Sequence, residues 1–145
     1  KLIFFTIFSK LVTLYITMVS QITNGIKVSV KTNYEGTFFQ DFKMKYAFTY
    51  EIYIDNISKE PVQLQWRKWN IYDSLNKLEV IKGEGVIGTK PIIAPGNFHK
   101  YTSGCALAAP FGSMNGHYIM INLSTSRKFK VHIPTFNLCA PFASN

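Results

Sequence analysis

The stretch GEGVIGTKPIIAPGNFHKYTSGCALAAPFGSMNG, residues 83–116, decides the fold of this chain. It holds seven of the nine glycines and three of the six prolines. Glycine permits positive φ, and proline fixes φ and lacks an amide hydrogen, so this density predicts a series of backbone bends. Ala94-Pro95-Gly96-Asn97 suits a type II turn. Asn115-Gly116 is typical of a two-residue hairpin turn ahead of an apolar run.

Half-buried strands are predicted on both sides of this stretch, because apolar and polar residues alternate there. The alternation is found at 26–31, 46–55 and 129–133, and further strands are predicted at 62–73, 78–82, 98–103 and 117–122. Asn33–Phe42 is predicted as a loop with exposed aromatic side chains. Seven or eight short strands separated by turns, with no sustained helical period, predict an all-β antiparallel β-sandwich.

The strand at 62–73 contains a break in its alternation. Its apolar residues fall into two sets of opposite parity, which are Val62, Leu64 and Trp66 in the first and Trp69 and Ile71 in the second. Either a β-bulge near Arg67 returns the second set to the core face, or aromatic residues lie on both faces of the sheet. We favour the bulge.

Length and composition fit one domain. With 145 residues, of which 47% are hydrophobic, the chain can bury a core. We expect the domain at 18–141 and a tail at 142–145. Residues 1–17 are apolar but shorter than the about 20 residues of a spanning helix, and Lys10 interrupts the core that a signal peptide needs. We expect 1–17 to lie outside the fold, as translated upstream sequence, with a membrane anchor or signal as the alternative.

The chain is basic, with 16 Lys and Arg against 8 Asp and Glu and a net charge of +8. Such a charge favours polyanions, or serves solubility. The lysines are scattered singly and no RNA-binding signature is present, so we expect solubility and no specific nucleic-acid partner. Cys105 and Cys139 do not enclose a tryptophan as an immunoglobulin bridge does. We therefore expect two free thiols and a cytoplasmic location.

The hexapeptide at 83–88 matches GxGxxG. In a dinucleotide-binding fold that motif opens a helix, whereas here Pro91 and Pro95 follow and prevent one. A loop can still bind phosphate through its N–H groups, although Glu84 opposes an anion. The candidate ligand-binding residues are Lys82, Gly83, Gly85, Gly88 and Lys90. The alternative is that the glycines serve loop conformation alone.

Arg67-Lys68-Trp69 is a candidate interaction surface. Arginine binds carboxylates and phosphates in a bidentate manner, and arginine and tryptophan are common interface anchors. The alternative places Trp69 in the core and packs Arg67 along the sheet in an ion pair.

We predict neither a catalytic site nor a metal site nor a cofactor. The three histidines have no zinc-type spacing and no CxxC is present, so the pattern predicts no metal site. Ser103-Gly104-Cys105 matches no nucleophile motif, and no pair of carboxylates suggests an acid and its base.

The segments GEGVIG, PIIAPG, YTSGC and GSMNGHYIM, taken in order, resemble the ApaG family. RKW upstream and IPTFNL downstream extend the resemblance to about 18–141. It implies a single sandwich of immunoglobulin or fibronectin type III form in a small bacterial protein. The domain is also reused in eukaryotic F-box and polymerase-interacting proteins. In this family the glycine-rich motif has prompted nucleotide-binding proposals.

From the residues and the resemblance together, we expect a non-catalytic binding or protein-interaction module with a partner protein still to be identified. Its glycine-rich loop would face the ligand. The alternative is binding of a nucleotide polyphosphate or a divalent metal, linked to dinucleotide metabolism or to Co²⁺ and Mg²⁺ homeostasis. A chain with one marginal apolar segment cannot form a pore, so any role in cation efflux would be indirect.

Overall fold

A computed structural model describes residues 18–143, so the predictions for 1–17 and for the last two residues of the tail lie outside the described residues. The elements are β1 Met18–Thr23, β2 Ile26–Gln40, β3 Lys43–Asn56, β4 Val62–Asp73, β5 Glu79–Glu84, β6 Ile92–Ile93, β7 Phe98–Leu107, β8 Phe111–Asn122, β9 Lys128–Cys139 and a 3₁₀ turn at Pro141–Ala143. Within this range, no helix is long and apolar enough to cross a membrane.

The strands form two antiparallel sheets packed face to face. The first sheet has the order β1-β2-β3-β7, and the second has the order β5-β4-β8-β9, with β6 beside one end of β4. The predicted all-β sandwich of immunoglobulin or fibronectin type III form is therefore confirmed. Its core contains the inward residues of both sheets, and an aromatic cluster lies at its centre. In that cluster the Tyr50 ring is 5.4 Å from Trp69 and 5.6 Å from Phe136.

One side of the sandwich is closed and the other is open. On the closed side the β1–β2 turn packs against β9, where the Asn24 side-chain amide donates to the Lys130 carbonyl over 3.4 Å. The His132 amide donates there to the Thr23 hydroxyl over 3.2 Å. On the opposite side the last strands of the two sheets are β7 and β5, and a cavity lies between them.

The loop predicted at 33–42 is wrong. β2 continues to Gln40 and pairs with β3 around a turn at Asp41-Phe42. The stretch lacks a clear alternation, and its strand conformation comes from cross-strand pairing with β3 rather than from its own pattern. Phe39 is exposed as predicted, whereas Tyr34 is half-buried and its ring lies 5.4 Å from that of Phe48.

The hairpin turn predicted at Asn115-Gly116 is also wrong, because both residues lie inside β8. A Cβ at Gly116 would collide with the carbonyl oxygen of Lys68 on β4. The glycine therefore serves a close approach of two strands and not a turn. The turn predicted at 94–97 is confirmed, since Gly96 has φ +78° and the Asn97 amide donates to the Ala94 carbonyl over 3.0 Å.

The predicted β-bulge in β4 is present, but it lies between Leu64 and Trp66, before the expected position. The bulge turns Trp69 and Ile71 into the core, as expected. It also places Arg67 on the inward face and turns Trp66 outward. The bulge thus decides which side chains of β4 reach the cavity.

Candidate functional site

The open side of the sandwich holds a cavity of about 520 Å³ between the two sheets. Residues of β3 and β7 form one wall, and residues of β4, β5 and the turn that follows β5 form the other. The side chains used below are Tyr50, Arg67, Trp69, Tyr101, Ser103 and Cys105. The cavity exists because β5 and β7 are edge strands on the same side, and within residues 18–143 no further strand bridges the gap.

The side chain of Arg67 lines this cavity. Its Nη1 donates to the carbonyls of Glu84 and Gly85 over 2.9 and 2.8 Å. The guanidinium lies against Gly83, where a Cβ would come within 2.9 Å of Nη1. Within residues 18–143 Arg67 forms no ion pair with a carboxylate. Guanidinium has further N–H donors on Nη2 and Nε, so the site offers a positive charge with donors to spare.

Trp69 lies beside Arg67 in the wall of the cavity but belongs mainly to the core, with 4% of its surface exposed. Its ring meets those of Tyr50 and Phe136, the latter edge-on at 5.9 Å. Trp69 is therefore a core residue, as the alternative to an interaction surface had it. The ion pair that the same alternative gave to Arg67 is not formed within the described residues, where backbone carbonyls are its partners.

Three tyrosine hydroxyls gather beneath Arg67. Tyr101 and Tyr118 share a short hydrogen bond. Burial raises the pKa of Tyr50, although a hydrogen bond with Ser103 opposes the rise. Burial also raises the pKa values of Tyr101 and Tyr118. The phenols therefore stay neutral and can donate hydrogen bonds. No sequence pattern predicts this cluster, because its members come from β3, β7 and β8 and meet only when the two sheets pack.

Cys105 lies at the rim of the tyrosine cluster. Burial, with smaller contributions from the charges of Glu79 and Asp73, raises the pKa of its thiol to about 12. Its Sγ lies 3.7 Å from Sδ of Met114. The thiol is therefore protonated near neutral pH and is a poor nucleophile. Cys105 and the exposed Cys139 are both free thiols, as expected.

The glycine-rich loop forms a tight turn. Ile87 and Gly88 have φ of 46° and 71°, and the amides of Val86 and Thr89 donate to each other's carbonyls over 2.8 and 3.1 Å. The Gly85 amide donates to the carbonyl of Gln65 over 2.9 Å. These three N–H groups are therefore engaged within the protein. Toward Arg67 the loop presents carbonyl oxygens.

The candidate residues predicted from the sequence do not form one site. Those in the wall of the cavity are Arg67, Trp69 and Gly88. Gly83 and Gly85 lie just behind that wall, where they leave room for Arg67 and for the turn. Lys82 is opposite Lys68 in the β4–β5 pairing. The Lys90 Nζ lies 3.5 Å from Glu84 Oε2 at the surface. Among residues 18–143 no group of three or more His, Cys, Asp and Glu could hold a metal ion.

The fold and this cavity define a small antiparallel β-sandwich of immunoglobulin or fibronectin type III form with an accessible space between its sheets. The ApaG domain family matches residues 37–122. A Shewanella woodyi protein described as Protein ApaG is 41% identical over 122 residues, which is 84% of this chain and 96% of that protein. An Escherichia coli Protein ApaG is 41% identical over 97 residues, covering 67% and 77% of the two chains. The chain belongs to the ApaG family.

Solved structures agree with this assignment. An X-ray structure of a structural-genomics target has a TM-score of 0.77 and 38% identity, covering 81% of this chain and 89% of that one. A crystal structure described as an ApaA protein from Bordetella pertussis has a TM-score of 0.71 and 33% identity, with coverage of 80% and 94%. The sandwich described above is thus shared with experimentally determined relatives.

Proposed function

We propose that this protein is a non-catalytic protein-interaction module that takes a segment of a partner into the cavity at its open side. The observation that carries the proposal is the Arg67 guanidinium, which lines a cavity of about 520 Å³ and forms no ion pair within the described residues. The groups around it support a non-catalytic role, because the Cys105 thiol and the tyrosine hydroxyls are held in their neutral forms. Two free thiols favour a cytoplasmic location.

The geometry of the opening favours an extended polypeptide. β5 and β7 are both edge strands, and an edge strand has unpaired N–H and C=O groups that can add a strand from another chain. A segment paired with the edge of β7 would direct alternate side chains between the sheets. An acidic side chain there would meet Arg67, and apolar ones would meet Ile71 and Ile81 in the same cavity. We therefore propose a partner segment that is extended and carries a carboxylate among apolar residues.

The proposal is tested by selecting peptides from a random display library against the protein and measuring their affinity by fluorescence anisotropy. Ser103→Phe fills the cavity from β7 and should weaken the selected peptides at least about tenfold, since it blocks an anchoring pocket. Thr102→Phe adds the same ring to the outer face of the same strand and should have little effect. Arg67→Gln keeps amide donors for the loop carbonyls but removes the charge, so it should weaken acidic peptides selectively.

Equal weakening by Ser103→Phe and Thr102→Phe would contradict binding inside the cavity. Selected peptides without an acidic residue, bound equally well by Arg67→Gln, would contradict the role of Arg67. Circular dichroism and melting of each variant should precede the binding experiment, so that an unfolded variant is not taken for a binding defect.

Binding of a nucleotide polyphosphate is the second candidate. It is favoured by the charge of Arg67, which has no carboxylate partner among residues 18–143 and which an anion would satisfy. The amides of Gly85 and Val86 are engaged, and Lys82 and Lys90 lie outside the cavity wall. The binding would therefore rest on Arg67 rather than on the loop. Calorimetry with ATP and a diadenosine polyphosphate, at low and moderate salt, tests it. No heat in either titration would remove this candidate.

A further inference from the structure

The outer faces of the two sheets carry charge in different ways. On the first sheet lysines lie opposite carboxylates across the strands, as in the pairs Lys27 with Asp55 and Lys31 with Glu51. Lys100 lies 3.7 Å from Glu51 on the same face. Opposite charges in directly opposed positions stabilise a sheet. Carboxylates therefore balance these three lysines of the first sheet.

On the second sheet basic side chains lie opposite one another. Lys82 is paired with Lys68, Lys68 with His117, and His117 with His132, so one row crosses all four strands. Directly opposed residues project from the same face. Lys130 and Lys128 of β9 add two further basic side chains to this face, since they are paired with Ile119 and Ile121 of β8. We call the following residues the basic face: Lys68, Lys82, His117, Lys128, Lys130 and His132, together with Trp66 and Tyr72 of β4.

Acidic residues do little to balance the basic face. Along β4, β5, β8 and β9 the one carboxylate at an outward position is that of Glu84, opposite Trp66, and it already lies 3.5 Å from Lys90. The pKa of His117 is lowered by burial first and then by the charges of Lys130, Lys68 and His132. Like charges in opposed positions destabilise a sheet, and a bound polyanion would relieve that repulsion.

A polar hollow of about 290 Å³ lies at the β8–β9 end of the row, bordered by His117 and His132. Its floor is Gly116, which carries no side chain. Its other wall is held by hydrogen bonds from Asn70 to Asn115 over 3.0 Å and from Asn115 to Thr135 over 3.2 Å. Hydroxyl, amide and imidazole groups around a small hollow are suited to a phosphate group.

Two aromatic side chains flank the polar residues on the outer side of β4. After the bulge the outward positions are Trp66, Lys68, Asn70 and Tyr72. Trp66 is half-buried and Tyr72 is 42% exposed. The two residues are six positions apart, or roughly 20 Å along a strand. Single-stranded nucleic acids bind surfaces that combine aromatic rings for stacking with basic groups for the backbone.

We propose that the basic face binds single-stranded nucleic acid without sequence preference, with phosphates along the Lys82–Lys68–His117–His132 row and bases against Trp66. The row spans three strand spacings, roughly 14 Å, which suits an extended backbone of several nucleotides. Rings beside cations favour a nucleic acid over an acidic protein, because the rings need flat π-faces to stack on. The site is separate from the cavity, so the proposal does not rest on a partner peptide.

The test is fluorescence anisotropy of the full chain with a labelled oligouridylate of about ten nucleotides, the site size of a small single-strand binder. The variant Lys68→Gln/Lys82→Gln should weaken binding about tenfold or more at low salt and should reduce the salt dependence. Lys27→Gln/Lys31→Gln removes the same charge from the first sheet and is the matched control, with an expected change under about threefold. Trp66→Leu should weaken binding without changing the salt dependence.

A direct readout of the site is the His117 ring, whose pKa should rise toward the ordinary value when the oligonucleotide binds, as followed by NMR titration of its ring protons. No binding at low salt would overturn the proposal. An equal loss in both lysine pairs would overturn it too, because the net charge of the chain would then suffice. Polyglutamate of matched charge that competes as well as RNA would also overturn it, since the surface would then be a site for any polyanion.

Discussion

At Gly116 two strands of the second sheet approach so closely that the residue can carry no side chain. A Cβ there would collide with the carbonyl oxygen of Lys68 and come within 3.2 Å of the Trp69 Cα. Both are backbone atoms of the neighbouring strand, which cannot rotate away as a side chain would. Gly116 thereby fixes the spacing of β4 and β8 beneath the core and, on the outer side, the floor of the polar hollow.

Gly116→Ala should therefore destabilise the protein strongly, by about 2–3 kcal/mol, because the added methyl forces the backbones of two paired strands apart. Urea denaturation measures the change in free energy of unfolding. Gly96→Ala is the control, since Gly96 has φ +78° but open space around it. It should cost only about 1 kcal/mol of conformational strain. Equal effects of the two substitutions would show that strand spacing does not limit Gly116.

At the scale of elements, the β2–β3 hairpin extends beyond its neighbours. Within residues 18–143, β7 pairs with β3 as far as Tyr46 and β1 pairs with β2 as far as Lys31, so among the described residues no further strand flanks the end of the hairpin. Its turn residues Asp41 and Phe42 have φ of 51° and 62°. A two-residue turn with both φ positive favours Asn-Gly or Asp-Gly, and a bulky aromatic residue is strained there.

Phe42→Gly should for this reason stabilise the protein, by about 0.5–1 kcal/mol, since it creates the favoured Asp-Gly turn and removes the strain. Phe42 is fully exposed, with a relative exposure of 104%, so no packing is lost. Thermal and urea unfolding check the prediction. Phe38→Gly, at an ordinary strand position of the same hairpin, is the control and should destabilise. A loss of stability in Phe42→Gly would mean that the ring makes contacts in solution.

The sequence allowed prediction of those elements whose own pattern is sufficient. Alternation revealed β3 and parts of β2 and β9, and a break in alternation revealed the bulge of β4. The Asn115-Gly116 signal failed because a tertiary approach, not a turn, demands that glycine. The cavity and the basic face were not predictable. Lysines that look scattered along the chain meet only through the register of four strands, and Arg67 reaches the cavity only through the position of the bulge.

At the scale of the whole molecule, the interior retains protonated phenols and a protonated thiol. Burial raises the pKa values of Tyr50, Tyr101 and Tyr118, and that of Cys105 to about 12. Tyr50 and Tyr101 belong to the first sheet and Tyr118 to the second. Cys105 lies beside them at the open side. Ionisation of any of these groups would place a negative charge between the sheets. The molecule should therefore lose stability in base.

The sign follows from proton binding. Near neutral pH all four groups are protonated in the folded and unfolded states alike, so they add no pH dependence there. As the pH rises past the ordinary pKa of cysteine, and then past that of tyrosine at about 10, the unfolded chain loses protons that the folded chain retains. The free energy of unfolding should then fall by up to about 1.4 kcal/mol per pH unit for each group. Urea denaturation from neutral pH to about pH 11 measures this fall. Tyr50→Phe removes one of the four groups and should reduce the slope of the free energy of unfolding against pH by that group's contribution. Stability that stays constant through this range would show that the phenols and the thiol ionise without unfolding the sandwich, and thus that water reaches them through the open side.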